Sequence, residues 1–149
     1  MRIDNEIILK NLKRVLHTKV VPAVGDTYVR SGAGVVGMCC DLLAQQADDA
    51  ADIVYEDNRG MQGLFLKALS VVSCNDLRQQ LEDAGTWQSP SIRIPDLTAL
   101  NAKLAELLIE LQIWLESNEA SGASSLEFEI LEQLERNAKR RLLILGALG

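Results

Sequence analysis

The feature that most constrains this chain is the leucine pattern of residues 95–116, PDLTALNAKLAELLIELQIWLE, which the segment SNEASGAS then breaks. Its apolar residues recur at alternating intervals of three and four, the spacing of a helix that packs one face against another helix. The seam comprises Leu97, Leu100, Leu104, Leu107, Leu111 and Trp114, with Leu108 and Leu115 beside it. Pro95 suits the first turn of such a helix, because that turn needs no backbone donor. The segment therefore predicts a long helix that requires a partner helix.

The first half of the chain shows the same period. A first segment places Ile8, Leu12, Val15 and Leu16 on one face and stops at VVPAVGD, because Pro22 lacks a donor and Gly25 frees the backbone. A second helix is capped by Asp26 or Thr27, and its stripe comprises Tyr28, Gly32, Val35, Cys39 and Leu42, widened by Val36 and Leu43. A third begins near Asp48–Asp52, and its apolar residues are Ile53, Gly60, Leu64, Ala68 and Val71.

Two further helices are predicted on either side of the leucine seam. A short helix through Leu77 and Leu81 ends at Gly85, and residues 86–94 form a long non-helical connection. Ser124 and Glu127 match a capping box for a last helix, whose apolar face comprises Leu131, Leu134, Ala138, Leu142 and Leu145. No segment alternates as a strand does. The sequence thus predicts one all-α domain over residues 1–149, an antiparallel bundle of four long helices plus one short helix.

Three glycines, Gly32, Gly34 and Gly37, match the G-x-G-x-x-G spacing of a dinucleotide-binding turn. That turn follows a buried strand, whereas the preceding residues GDTYVRS are mostly polar. Ala33 and Gly37, four residues apart, instead predict a shallow helix face that another helix approaches closely. We interpret the glycines as packing residues.

Composition excludes several partners. With 15 basic and 21 acidic residues the net charge is −6, which repels phosphate backbones, so no nucleic-acid partner is expected. Cys39, Cys40 and Cys74 match neither a disulfide framework nor a zinc site and favour buried free thiols in a reducing compartment. The N-terminus lacks signal-peptide character, and no uncharged stretch approaches the roughly 20 residues of a membrane span. We expect a cytoplasmic protein without a membrane partner.

The strongest candidate for a metal site is the acidic stretch QQADDAADIVYEDNRGMQ. Helical spacing places Asp48, Asp52 and Glu56 on one stripe, with Asp49 beside it. Such carboxylates hold Mg²⁺ or Mn²⁺ when a facing helix completes the ligand shell, for which Glu106, Glu110, Glu129, Glu132 and Glu135 are available. The favoured interpretation has no cofactor: a solvated helix start whose acids complement the helix dipole, with Arg59 pairing with Glu56 or Asp57.

Two stretches of the first half resemble a known family. VVPAVGDTYVRS contains Pro22, Ala23, Asp26, Tyr28 and Arg30, and the segment after it contains Leu42, Leu43, Ala44, Glu56 and Asn58. The pattern is similar to that of small all-helical bacterial proteins found in settings of acyl-CoA breakdown, near acyl-CoA dehydrogenases and kinase-like phosphotransferases. Gly34 and Gly37 depart from it. The resemblance implies an accessory role and assigns no catalytic residue.

No catalytic constellation accompanies these features, since His17 is the single imidazole and Cys39 and Cys40 lie in an apolar run. The tail LLILGALG is apolar on every side, so either the bundle buries it or it contacts a second subunit. We favour the second subunit and therefore a homodimer. We therefore predict a non-catalytic accessory or interaction protein, with a further protein partner left open. The alternatives are a divalent-metal-dependent enzyme or metal- or phosphate-binding bundle using Asp48, Asp49, Asp52 and Glu56, and a bundle with an apolar pocket for an acyl chain.

Overall fold

A computed structural model describes residues 4–47, 49–118 and 120–143, and every regular element among them is a helix. The all-α prediction is confirmed. In chain order the elements are α1 (Asn5–Val15), a π-helical turn (Leu16–Val20), α2 (Val21–Ala23), α3 (Thr27–Gln46), α4 (Ala50–Ala68), α5 (Asn75–Ala84), α6 (Ile94–Ser117) and α7 (Ala123–Arg140).

The chain divides into two compact units. The first comprises the described residues within Met1–Ala50 and Leu142–Gly149, and we call it the hairpin unit. The second is Ala51–Arg141, which we call the core unit.

Local signals set the helix ends in the hairpin unit. Asp26 caps α3, as predicted, and its side chain accepts hydrogen bonds from the backbone nitrogens of Tyr28 (2.8 Å) and Val29 (3.0 Å). Before it, the backbone nitrogen of Val21 donates to the carbonyl of Leu16, five residues earlier, which makes the π-helical turn. Pro22 has no backbone donor to restore the ordinary pattern, and the chain becomes extended at Val24.

Helices α1 and α3 pack against each other as an antiparallel pair. Lys13 of α1 pairs with Asp41 of α3 (2.9 Å), and His17, one turn further along, lies beside Gly37, one turn further back. A Cβ atom placed on Gly37 would lie 2.9 Å from His17 Nε2, so the imidazole fills the space of a side chain. The packing interpretation of Gly37 is therefore confirmed. It is wrong for Gly32 and Gly34, because a Cβ atom on either glycine would meet no atom of the described residues within 4 Å.

The core unit has a continuous apolar interior formed by α4, α5, α6 and α7. Its fully buried side chains include Phe65, Leu81, Leu104, Leu111 and Ile130. The leucine seam of α6 is confirmed, since Leu97, Leu104, Leu107, Leu108, Leu111 and Leu115 are all buried. The short helix α5 ends at Gly85, as predicted.

Helix α7 differs from its prediction at its start and on its buried face. It begins at Ala123 after Gly122, whose φ of 90° suits glycine, so the Ser124–Glu127 capping box is wrong. Its buried residues are Ala123, Leu126, Ile130, Gln133 and Asn137, whereas the predicted Leu131, Leu134, Ala138 and Leu142 are exposed. Leu145 lies outside the described residues.

Candidate functional site

The acidic residues predicted to bind metal surround the start of α4. Asp52 lies exposed in the first turn, where its charge complements the helix dipole, and Glu56 is half-buried one turn later. Asp49 is exposed before the helix, and Asp48 lies outside the described residues. Among the described residues, no group of three or more His, Cys, Asp or Glu side chains could hold a metal ion. The metal site stays a prediction.

Asp57, next to this stripe, is fully buried and lies at the contact between α4 and the end of α7. Its carboxylate contacts the Arg141 guanidinium, and Arg140 Nη1 lies 4.0 Å from Oδ1. With its amide nitrogen toward α4, Asn137 donates to Asp57 Oδ1 over 2.9 Å. Burial raises the pKa of Asp57, although the positive charges of Arg141 and Arg140 act in the opposite direction.

The amide of Gln133 completes this polar contact. Gln133 lies against Gly60 of α4, where a Cβ atom would lie 2.1 Å from Gln133 Nε2, so the glycine makes room for the glutamine. Arg136 Nη2 donates to Gln133 Oε1 over 2.8 Å. These side chains contact one another, and Asp57 Oδ2, which accepts no hydrogen bond from the described residues, pairs with the charge of Arg141. We interpret the cluster as a structural contact.

A cleft of about 560 Å³ opens in the core unit between α4, the connection after α5 and the start of α6. Small-molecule sites commonly have volumes of about 300–1,000 Å³. Its described lining includes one charged side chain, Arg59, and two aromatic ones, Tyr55 and Trp87. Polar lining residues are Asn58, Gln62, Thr86, Gln88, Ser89 and Ser91, and apolar ones are Ile92, Leu97 and Leu100.

Arg59 does not form the ion pair that the sequence suggested. Its guanidinium carbon lies 5.9 Å from the centroid of the Tyr55 ring, one turn earlier on α4. No carboxylate of the described residues lies within 4 Å of it. The positive charge of Arg59 is therefore available inside the cleft.

Hydrogen bonds hold the wall of the cleft in place. Gln62 Nε2 donates to the carbonyls of Ala84 (3.0 Å) and Trp87 (2.6 Å), which fastens the connection to α4. Further along, Ser91 Oγ donates to Asp96 Oδ2 over 2.5 Å. At the floor, buried Asn58 donates to the carbonyl of Leu97 (3.0 Å) and so joins α4 to the start of α6. The cleft is thus preformed.

Sequence reasoning treated residues 86–94 only as a connection and missed the cleft. The available signal was the Tyr55–Arg59 pair, four residues apart on a helix, together with a later loop that combines Trp87 with several hydroxyl side chains. Neither signal alone identifies a site, because the cleft needs α4 and the connection to face each other.

The hairpin unit carries an exposed apolar surface. None of the residues of α1 is buried, and α3 buries Gly37 and Ala44 alone. We define the hairpin face by its exposed apolar side chains: Ile8, Leu12 and Val15 of α1, and Tyr28, Val29, Val35, Val36 and Leu43 of α3. The stripes predicted in both helices thus point away from the contact between them.

Helix geometry places part of the hairpin face of each helix on the same side of the pair. At about 100° per residue, Leu12 precedes the α3-facing Lys13 by the same rotation as Val36 precedes the α1-facing Gly37. Because the two helices run antiparallel, equal rotations lead to the same side. Ile8, Leu12 and Val15 of α1 and Val29, Val36 and Leu43 of α3 therefore lie on one side of the pair, whereas Tyr28 and Val35 lie on the side of α3 that points away from α1.

Two sequence expectations about chemistry and location can be compared with these observations. The thiols are free, but Cys39 and Cys74 are exposed and Cys40 is half-buried, so the prediction of buried thiols is wrong. Among the described residues, no helix has both the length and the apolar character to cross a bilayer.

No protein-family model, curated protein or solved structure matches this chain.

Proposed function

We propose that this protein is a non-catalytic interaction protein that self-associates, two copies joining through their hairpin faces. The observation that carries the proposal is the small interior of the hairpin unit, in which α1 and α3 bury Gly37 and Ala44 alone. Large apolar side chains remain exposed instead, and Tyr28 retains 88% of its accessible surface. Monomeric proteins rarely expose a contiguous apolar patch beyond a few hundred Å².

Covering the hairpin face supplies enough free energy for association. Full burial of one Val, Leu or Ile side chain contributes about 1.5–3 kcal/mol. Association costs about 4–15 kcal/mol in lost translational and rotational freedom. The side chains of the hairpin face that share one side of the pair are already about half-buried, so each contributes roughly half of this figure on association. Covered on two copies at once, they offset a cost of that size.

The shape of the hairpin face favours a second copy as its partner. Val29, Val36 and Leu43 recur every seven residues, the spacing of helices that pack along their length. Two antiparallel hairpins related by a twofold axis give a four-helix bundle in which each surface meets itself. Helix α1 has 11 residues and α3 has 20, so they are about 16 Å and about 30 Å long, and at a width of about 10 Å they present roughly 460 Å². This is below the ~800 Å² per partner of a standard interface and is typical of a weak, reversible association.

The exposed free thiols support the expectation of a reducing, cytoplasmic compartment for this assembly. The accessory role in acyl-CoA breakdown stays a prediction from the family resemblance. Another protein on the hairpin face is the competing occupant, and the experiment below distinguishes it from a second copy.

Sedimentation velocity of the full chain, from low to high micromolar concentration, tests the proposal. Val36→Glu places a charge in the middle of the hairpin face. Ile113→Glu is the matched control, because Ile113 of α6 has a similar exposed fraction, 59% against 53%, and lies in the core unit. We expect a dimer for the wild type and for Ile113→Glu, and a monomer for Val36→Glu with unchanged helical circular dichroism.

A wild-type chain that stays monomeric throughout would contradict self-association and would leave another protein as the occupant of the hairpin face. Dissociation by Ile113→Glu but not by Val36→Glu would move the contact to the core unit and overturn the assignment of the surface.

A further inference from the structure

We propose that the cleft of the core unit binds a small organic anion that carries a flat ring, with its anionic group on Arg59 and its ring against Tyr55 and Trp87. The proposal is independent of self-association, since every residue that lines the cleft belongs to the core unit.

The charge of the cleft selects an anion. Arg59 is the charged member of the described lining and has no ion-pair partner among the described residues. Its planar guanidinium presents a fork of donors that matches a carboxylate, sulfonate or phosphate. The nearby carboxylate of Asp96 already accepts a hydrogen bond from Ser91, and that of Asp57 faces Arg140 and Arg141. A cation would meet only repulsion from Arg59.

The aromatic side chains select a ring. Tyr55 and Trp87 are two of only six aromatic residues in the chain, and both line this cleft while remaining about 40% exposed. Partly exposed aromatic faces beside a guanidinium suit an offset-stacked or edge-on ring. Leu97 and Leu100 add apolar surface to the same lining. A bare inorganic anion would leave all of this surface unused.

Unused hydrogen-bonding capacity adds polar contacts to the ring site. Asn58 Nδ2 carries two hydrogens and donates one to Leu97, while its Oδ1 accepts from Asn101 over 2.8 Å. Gln62 uses its nitrogen to hold the connection, and its Oε1 makes no hydrogen bond among the described residues. Both amides line the cleft, so they can form hydrogen bonds with a polar substituent on the ligand.

Titrations of the full-length ¹⁵N-labelled chain test the proposal, with resonances followed by NMR. The ring-bearing anions are indole-3-carboxylate, naphthalene-2-sulfonate and adenosine monophosphate, and the comparators are neutral indole-3-carboxamide and inorganic phosphate. We expect at least one ring-bearing anion to shift the amide resonances of Tyr55, Thr86 and Trp87, and to bind more tightly than either comparator.

Arginine variants separate the cleft from general charge attraction. Arg59→Gln should weaken binding by at least about tenfold, the usual effect of losing a charged hydrogen bond. Arg78→Gln, which removes an exposed arginine of α5 outside the lining, should leave the affinity unchanged. Tyr55→Leu should weaken binding by roughly two- to tenfold, because the ring loses one aromatic contact.

The proposal would be overturned by the absence of any shift in the cleft with the ring-bearing anions, by equal affinity for the carboxylate and the carboxamide, or by equal weakening by Arg59→Gln and Arg78→Gln. Binding of inorganic phosphate as tight as that of the ring-bearing anions would also contradict it. Circular dichroism of each variant checks that a loss of binding does not come from unfolding.

Discussion

Helices α3 and α6 have similar lengths and similarly regular apolar patterns, yet they bury different amounts of side chain. In the core unit α6 buries six leucines, whereas in the hairpin unit α3 buries one glycine and one alanine. Periodicity therefore predicts that a helix has an apolar face that packs against a partner. It does not predict whether that partner belongs to the same chain. The hairpin and core units are two outcomes of one sequence pattern.

The largest expected effect of this difference is on truncation of single leucines. Leu104→Ala removes a fully buried side chain of α6 and should lower the free energy of unfolding by about 2–5 kcal/mol. Leu12→Ala removes a half-exposed side chain of α1 and should change it by no more than about 0.5 kcal/mol in the dilute monomer. Urea titration of dilute protein, followed by circular dichroism, checks both. Equal losses would contradict the contrast between the units.

A smaller effect is expected at the buried carboxylate of the core unit. Arg141→Gln leaves the Asp57 charge buried with a weaker partner and should lower the free energy of unfolding by about 1–3 kcal/mol. This loss is smaller than the ~3–5 kcal/mol expected when a fully buried ion pair is broken, because Arg141 is half-exposed. Asp57→Asn should cost less than about 1 kcal/mol, because Arg140 and Arg141 are partly exposed and water can solvate their charges. Urea midpoints followed by the fluorescence of Trp87 and Trp114, both in the core unit, compare them. A larger loss for Asp57→Asn would contradict this account.

The same carboxylate predicts a pH dependence. Because burial raises the pKa of Asp57 above its ordinary value of 3.8, the folded state binds the proton more tightly than the unfolded state. The stability of the wild type relative to Asp57→Asn is therefore greatest below pH 3.8, falls as the pH rises through the raised pKa, and is constant above it. Urea midpoints of both proteins at a series of pH values test this. A difference that grows with pH would have the wrong sign.

The smallest expected effects distinguish two glycines of α3. Gly34→Ala meets open space and should stabilise the helix by about 0.5–1 kcal/mol. Gly37→Ala places its methyl group against the His17 ring, so this gain should be lost. Thermal melts followed by circular dichroism compare the two variants. Equal stabilisation by both would show that α1 does not approach α3 closely at Gly37.

Helix positions were predictable because their signals are local. The Asp26 cap, the end of α5 at Gly85 and the leucine seam of α6 each depend on residues within one or two turns of the feature. Such signals act before any tertiary contact forms, so the sequence alone carries them.

The buried face of α7 and the cleft were not predictable, because each depends on a facing element. Gln133 and Asn137 are buried because α4 presents Gly60 and Asp57 to them, although Leu131 and Leu134 are more apolar. Similarly, the position of Arg59 in a cleft depends on where the connection after α5 returns to α4. These conditions join distant parts of the chain and leave no mark on the local pattern.

The most direct test of the central claim is the thermal unfolding of the full chain at several protein concentrations, followed by circular dichroism and by the fluorescence of Trp87 and Trp114. If two copies cover the hairpin face, part of the helical signal should melt at a temperature that rises with concentration, because association stabilises the folded hairpin by mass action. The tryptophan transition of the core unit should not move, and Val36→Glu should abolish the dependence. Melting that is independent of concentration by both probes would contradict the account.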